Sequence, residues 1–234
     1  MLWNNPIDNF IFALKTFTNF NWRGGIFFYN EYISSLNLPW NYSLIWIVVS
    51  NPVFYLINFI FGSILILFKI SERFINLSNK NPNKDVWNNE NERIDFIFFM
   101  IFYLTLFLII SLKTPIYTGW RHLFFLYPSL IFISLRSIDF FANRIDKRYV
   151  IIICLPFLMH IAIWMYKNHP YQNVYFNFLA GKKPNKNFEL DYWGLSNKEV
   201  IEYLIQNKKG ELKLFILSTS PYKQSLSMID KKEI

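Results

Sequence analysis

The chain has little charge, few glycines, three histidines and one cysteine. Charged residues make up 17% of its 234 positions, against roughly 25% in a soluble domain. The single cysteine, Cys154, excludes an intramolecular disulfide and a cysteine-based zinc site. His122, His160 and His169 are widely separated and have no cysteine partners, which points away from a metal centre. Glycine occurs 7 times against 26 phenylalanines, and no glycine-rich phosphate loop or nucleophile elbow is present. The first 20 residues show neither a basic start nor a small-residue cleavage site, so no signal peptide is read there.

What the chain has in abundance is apolar bulk: 53% of its residues are hydrophobic and 21% are aromatic. Disordered and low-complexity chains are poor in such side chains. Mean hydropathy is only +0.19, so polar stretches must separate the apolar ones. The net charge of +8 fits anchoring to anionic lipid headgroups better than nucleic-acid binding, given those apolar runs.

Four runs predict spanning helices, and the fold class follows: an α-helical integral membrane protein with a small external α/β tail. The first, 44–68, is uncharged and about 37 Å long as a helix, enough for ~30 Å of hydrocarbon. Asn51-Pro52 should kink or unwind it. The second, 96–112, is just long enough. The third, 123–142, carries Arg136 and Asp139 on one face, where they can pair and snorkel. The fourth, 149–166, contains His160, read as a helix-packing residue. Lysines and arginines cluster at 69–95 and 143–148, which the positive-inside rule places in the cytoplasm. Both termini and the 113–122 turn then lie outside.

Three domains are expected: 1–43, 44–166 and 167–234. In the first, Ile7, Phe10, Ile11, Leu14 and Phe17 form one apolar face, the pattern of an interfacial helix. In the last, Ser196 and Glu199 have the spacing of a capping box, and 212–217 reads as a strand.

Three outer stretches carry residues suited to chemistry. In Thr114–His122, Gly119 permits close backbone approach, Arg121 offers a planar fork for phosphate, and His122 can donate a hydrogen bond. Tyr117 and Trp120 flank them. Ordinary interfacial anchoring of a helix hairpin explains the same residues, and composition alone favours that explanation. In His169–Asn177, His169 and Tyr171 stand among amides and aromatics that fit a headgroup or sugar site, or a loop capping the membrane face. In Phe188–Gly194, Glu189 and Asp191 lie beside exposed aromatics, as in carbohydrate sites, but acids also gather before helix N-termini.

Taken together, Tyr117–Pro128, His169–Asn177, Phe188–Leu195 and Leu38-Pro39-Trp40 resemble, in the same order, segments of bacterial membrane glycosyltransferases related to protein O-mannosyltransferases. The resemblance covers most of the chain. It implies the GT-C architecture, with an active site on the outer face and sugar transfer from a polyprenyl-phosphate donor. It makes Arg121, His122 and Gly119 the donor-phosphate group, and Tyr117, Trp120, His169, Tyr171, Glu189 and Asp191 the sugar or acceptor group. No cofactor is implied, a divalent metal stays open, and no nucleic-acid partner is expected. The four helices match only the C-terminal part of such enzymes. The family's catalytic carboxylate lies earlier, so a separately encoded N-terminal half is an expected partner, and the catalytic residue is unassigned here. The alternative is a non-catalytic membrane subunit or inactive fragment.

Overall fold

The computed structural model describes residues 5–18, 24–77, 87, 89–208 and 222–229. In chain order these form α1 (Pro6–Thr18), β1 (Gly25–Phe28), β2 (Glu31–Ser34), α2 (Tyr42–Val49), α3 (Val53–Leu77), α4 (Glu90–Ser111), α5 (Tyr127–Ala142), α6 (Lys147–Lys167), α7 (Asn197–Gln206) and α8 (Tyr222–Ser227). The described residues are mainly helical, with one two-stranded antiparallel sheet among them. Among the described residues, four stretches are long and apolar enough to cross a membrane: Val53–Ile75, Glu90–Ser111, Arg121–Ala142 and Lys147–Lys167.

The expected first helix, 44–68, is two helices. Proline has no N–H to donate and crowds the preceding turn, so the chain leaves α2 at Ser50 and re-enters helix at Val53. The spanning element is α3, and it runs on to Leu77. Lys69 and Arg73 therefore lie on a helix rather than in a loop. Their charges are matched by α4: Arg73 Nε lies 3.3 Å from Glu92, and Lys69 Nζ 3.9 Å from Asp95. Asp95 is buried and also takes Arg136 of α5 as its partner. This corrects the expected pairing of Arg136 with Asp139, which instead accepts from Asn143 at 3.3 Å. An ion pair between helices satisfies a buried carboxylate; a pair along one helix would have left Asp95 with only the more distant Lys69.

Caps fix two helix starts. The Asn89 side chain accepts the Glu92 N–H at 2.9 Å, and Asp146 accepts the Arg148 N–H at 2.8 Å. Small and polar residues make the close contacts between these helices. A Cβ on Gly62 of α3 would lie 2.0 Å from the Ile133 carbonyl oxygen of α5. Ser134 donates to the Tyr55 carbonyl at 3.2 Å, Ser137 to the Asn58 side chain at 2.9 Å, and Tyr103 to Ser63 at 2.8 Å. Of α6, only Val150 is buried. His160 lies on its exposed side, so the packing role read from the sequence does not hold.

The N-terminal segment contains a hairpin the sequence reading lacked. Tyr29 and Asn30 have φ of 51° and 64°, the left-handed pair that a two-residue hairpin turn requires. Phe28 forms a further antiparallel bridge to Phe188, which ties this segment to the tail. In the tail, the expected strand 212–217 lies outside the described residues. The described part of the tail holds helices and single 3-10 turns. The capping box is also corrected. The Ser196 hydroxyl donates to Asp191 at 2.5 Å, and Glu199 takes the Tyr171 hydroxyl.

A candidate binding cleft where three loops meet

The cleft begins at the break between α2 and α3. Three residues without helical geometry leave carbonyls there that no helix can use. Asn177, from the loop after α6, supplies the missing donors. Its side-chain amide donates to Val48 at 2.6 Å and to Asn51 at 2.7 Å, and its N–H donates to Val49 at 2.9 Å. The break is thereby locked to the 169–177 loop.

A second lock joins α2 to the 114–122 turn. The Tyr42 hydroxyl accepts the Gly119 N–H at 3.2 Å, and burial pushes the Tyr42 phenol well above its usual range. Gly119 has φ of +73°, and a Cβ there would sit 3.3 Å from the Trp46 ring. Its missing side chain admits Trp46, where the sequence reading had it admit a ligand.

Beneath these locks lies an aromatic floor. Phe188 packs against Phe28, Trp46 and Phe176 with ring centroids 6.0, 5.3 and 5.5 Å apart. Such edge and offset pairs add to the area they bury. The floor holds the 169–177 and 188–194 stretches side by side.

Above it opens a cavity of about 420 Å³. Its walls are drawn from all three outer stretches and from the helix break. Gly119 and Trp120 come from the first, Asn173 and Tyr175 from the second, Glu189 and Trp193 from the third, and Ser50 and Asn51 from the break. A pocket of this size with mostly aromatic walls and a few convergent polar groups is the ordinary form of a small-molecule site.

Charge is arranged across its edge. Burial raises the Glu189 carboxyl above the usual carboxylate range, and the nearby Arg121 charge works against that rise. The Arg121 guanidinium lies over two rings, 5.0 Å from the Tyr117 centroid and 5.0 Å from that of Trp193. Trp193 is itself a wall residue, so the cation is fixed at the rim by cation–π contact. Among the described residues, four buried polar atoms of the cavity's wall residues make no hydrogen bond: Trp46 Nε1, Asn173 Nδ2, Asn173 Oδ1 and Glu189 Oε2.

The nine residues singled out by sequence therefore divide. Gly119, Trp120 and Glu189 line the cavity. Arg121 and Tyr117 stack at its rim. His122 is exposed and packs edge-on against Tyr117, with centroids 4.5 Å apart. His169, Tyr171 and Asp191 are not wall residues. His169 Nδ1 pairs with Gln172 Nε2 at 2.8 Å, after a cis bond to Pro170 leads into Tyr171. Asp191 accepts the Leu195 N–H at 3.0 Å and the Ser196 N–H at 2.7 Å. Burial alone would raise its carboxyl, but the bonds from Ser196, Leu195 and Gly194 outweigh that and hold it below the usual range. Asp191 orders the loop before α7; it does not face the cavity.

Trp46, Ser50 and Asn51 are wall residues that sequence reasoning missed. Asn51 stands out in the sequence as part of a kink and as a polar group within an apolar run, not as a site residue. Asn173 was read within its stretch but not singled out, since an amide in a loop carries no spacing signal. No protein-family model, curated protein or solved structure matches the chain.

Proposed function

We propose that the chain is the membrane-embedded part of a glycosyltransferase that uses a polyprenyl-phosphate sugar. One observation supports this above others. Three of the four stretches that resemble that family, spread over residues 117–195, wall one cleft beside the end of a helix hairpin. In this reading the four apolar helices span the membrane, and the cleft faces the external side. The donor's isoprenoid chain lies in the bilayer with its phosphate at the Arg121 rim.

The reaction is displacement at the anomeric carbon. The acceptor oxygen forms a bond to that carbon as the bond to the phosphate oxygen breaks. The acceptor proton goes to a carboxylate, supplied in this reading by a separately encoded N-terminal half. The lipid phosphate leaves with both bonding electrons, and a guanidinium beside it stabilises that charge in the transition state. His122, exposed beside Tyr117, orients the same phosphate.

The test is co-expression of the chain with its upstream neighbour and assay of transfer from polyprenyl-phosphate sugars. Arg121→Lys should lower turnover roughly 10²-fold, the effect of losing one preorganised charge-stabilising group, with membrane insertion unchanged. Wild-type rates would reduce Arg121 to an interfacial anchor, a task lysine performs as well. Binding of the lipid without added rate would favour the non-catalytic subunit.

A further inference from the structure

The three unpartnered atoms on the cleft's outer loops carry more information than its overall shape. A buried polar atom without a partner costs about 1–3 kcal/mol, and such atoms mark places where a ligand completes the hydrogen bonding. Here they belong to two residues on different loops, Asn173 and Glu189. Both residues are wall residues of the same cavity. One is a carboxylate oxygen, which accepts when ionised. The other two are the oxygen and nitrogen of one amide, an acceptor and a donor. The set is the same whichever way the amide is turned.

That set discriminates among ligand classes. A phosphate brings acceptors only. It would satisfy the amide nitrogen and the Trp46 indole N–H, leave the amide oxygen bare, and meet the charge of Glu189. A cation would satisfy the two oxygens and oppose the amide nitrogen. A hydroxyl both donates and accepts, so two neighbouring hydroxyls can satisfy all three atoms at once. One donates to Glu189 while accepting from the Asn173 nitrogen, and the other donates to the Asn173 oxygen. The remaining walls are aromatic, among them Trp120, Tyr175, Tyr192 and Trp193. They suit the C–H face of a pyranose ring as well as they reject a hydrated ion. Charge is separated accordingly, with the acid inside and the Arg121 cation at the rim.

We propose that Asn173 and Glu189 are the hydroxyl-reading pair of a saccharide subsite, which takes an uncharged hexose through a vicinal diol. The subsite binds the sugar ring itself, apart from any phosphate. It rests on the transferase reading only for the placement of a lipid phosphate at Arg121. Asn173 and Glu189 are binding residues here; the inference gives them no part in bond breaking.

The experiment uses the full chain in lipid nanodiscs and follows tryptophan fluorescence, since Trp46, Trp120 and Trp193 wall the cleft. The probes are methyl α-mannopyranoside, methyl α-glucopyranoside, their 2-deoxy and 3-deoxy forms, and inorganic phosphate. At least one methyl hexoside should bind saturably, and the matching deoxy form should bind at least tenfold more weakly. Asn173→Ala and Glu189→Gln should each weaken hexoside binding tenfold or more. Lys182→Ala, at an exposed residue that is not on the cavity wall, should leave it within twofold of wild type. Thermal unfolding controls for misfolding: Glu189→Gln relieves a buried charge, so its Tm should equal or exceed that of wild type. No saturable hexoside binding by the wild type up to 100 mM would overturn the proposal. Equal binding by the Asn173→Ala and Glu189→Gln variants, or phosphate binding that depends on Glu189, would also overturn it.

The two readings fail separately. Hexoside binding that needs both residues, with no transfer in co-expression, leaves the subsite standing and removes the transferase. Transfer that is indifferent to Asn173→Ala and Glu189→Gln removes the subsite and keeps the transferase.

Discussion

The side-chain amide of Asn177 donates to the backbone carbonyl of Asn51 at 2.7 Å, across 126 positions of sequence. The second hydrogen of the same amide goes to Val48. One side chain thus closes the break that Pro52 opens, and it does so from the loop that walls the cleft. Asn177→Ala should leave the buried Asn51 carbonyl and the part-buried Val48 carbonyl unpaired and cost about 2–6 kcal/mol, at roughly 1–3 kcal/mol for each. Chemical denaturation of the purified chain in detergent measures this. Asn177→Asp should be no better, because a carboxylate cannot donate. A loss below about 0.5 kcal/mol for Asn177→Ala would mean that the break is closed by other means.

Gly119 offers a second check on the geometry of the cleft. Its left-handed φ of +73° opposes a side chain, and so does the Trp46 ring, which would lie 3.3 Å from an added methyl. Gly119→Ala should destabilise the chain by about 1–2 kcal/mol from the backbone term alone. Tyr42→Phe removes the acceptor of the Gly119 N–H and should cost about 1 kcal/mol. The two changes touch the same contact, so the double variant should lose less than the sum of the singles.

The α3–α5 crossing depends on Gly62. An added methyl would meet the Ile133 carbonyl oxygen at 2.0 Å, and backbone cannot yield as a side-chain tip can. Gly62→Ala should therefore force the helices apart at a cost of about 1–3 kcal/mol or more. A double-cysteine crosslink between the two helices should form several-fold more slowly in Gly62→Ala than in the parent. An unchanged crosslinking rate and Tm would show that the crossing tolerates a side chain.

Glu189 and Asp191 should oppose each other in the pH dependence of stability. Burial raises the folded-state pKa of Glu189. Its effect on stability is most favourable below the unfolded value near ~4.3, where the group is neutral in both states. Stability then falls as pH rises through the folded value. Asp191 is held below its unfolded value by its hydrogen bonds. Its contribution is full above about pH 3.9 and is lost as pH falls through the lower folded value. Glu189→Gln should flatten the decline of Tm above about pH 4.3, whereas Asp191→Asn should lower Tm at neutral pH and remove the acid-side dependence. Parallel Tm profiles for wild type and Glu189→Gln would place Glu189 in water.

Orientation is accessible by labelling. With Cys154 replaced, a membrane-impermeant thiol reagent should label Thr118→Cys and Asn185→Cys in intact cells and leave Pro82→Cys unlabelled. The reverse pattern would place the cleft on the cytoplasmic side.

Apolar content alone determined the four long helices. A run of some twenty uncharged residues has few other stable arrangements, and proline at 52 and the polar run before Asn89 mark where runs stop. The three outer stretches were also legible, because Trp, Tyr, Arg and His concentrated between apolar runs stand out by composition. Their division of labour was not legible. Glu189 and Asp191 are two apart and alike in type, yet one faces the cavity and the other ties down the backbone of Leu195 and Ser196. Arg136 has an acid three residues away, yet takes one on another helix. Ser196 and Glu199 have cap spacing, yet each finds a partner elsewhere. Composition and spacing describe what a segment can do alone. Which partner a polar side chain takes depends on which groups the fold leaves buried beside it. That was decided only when Asn177 closed the helix break, Gly119 admitted Trp46, and three distant loops came to share one wall.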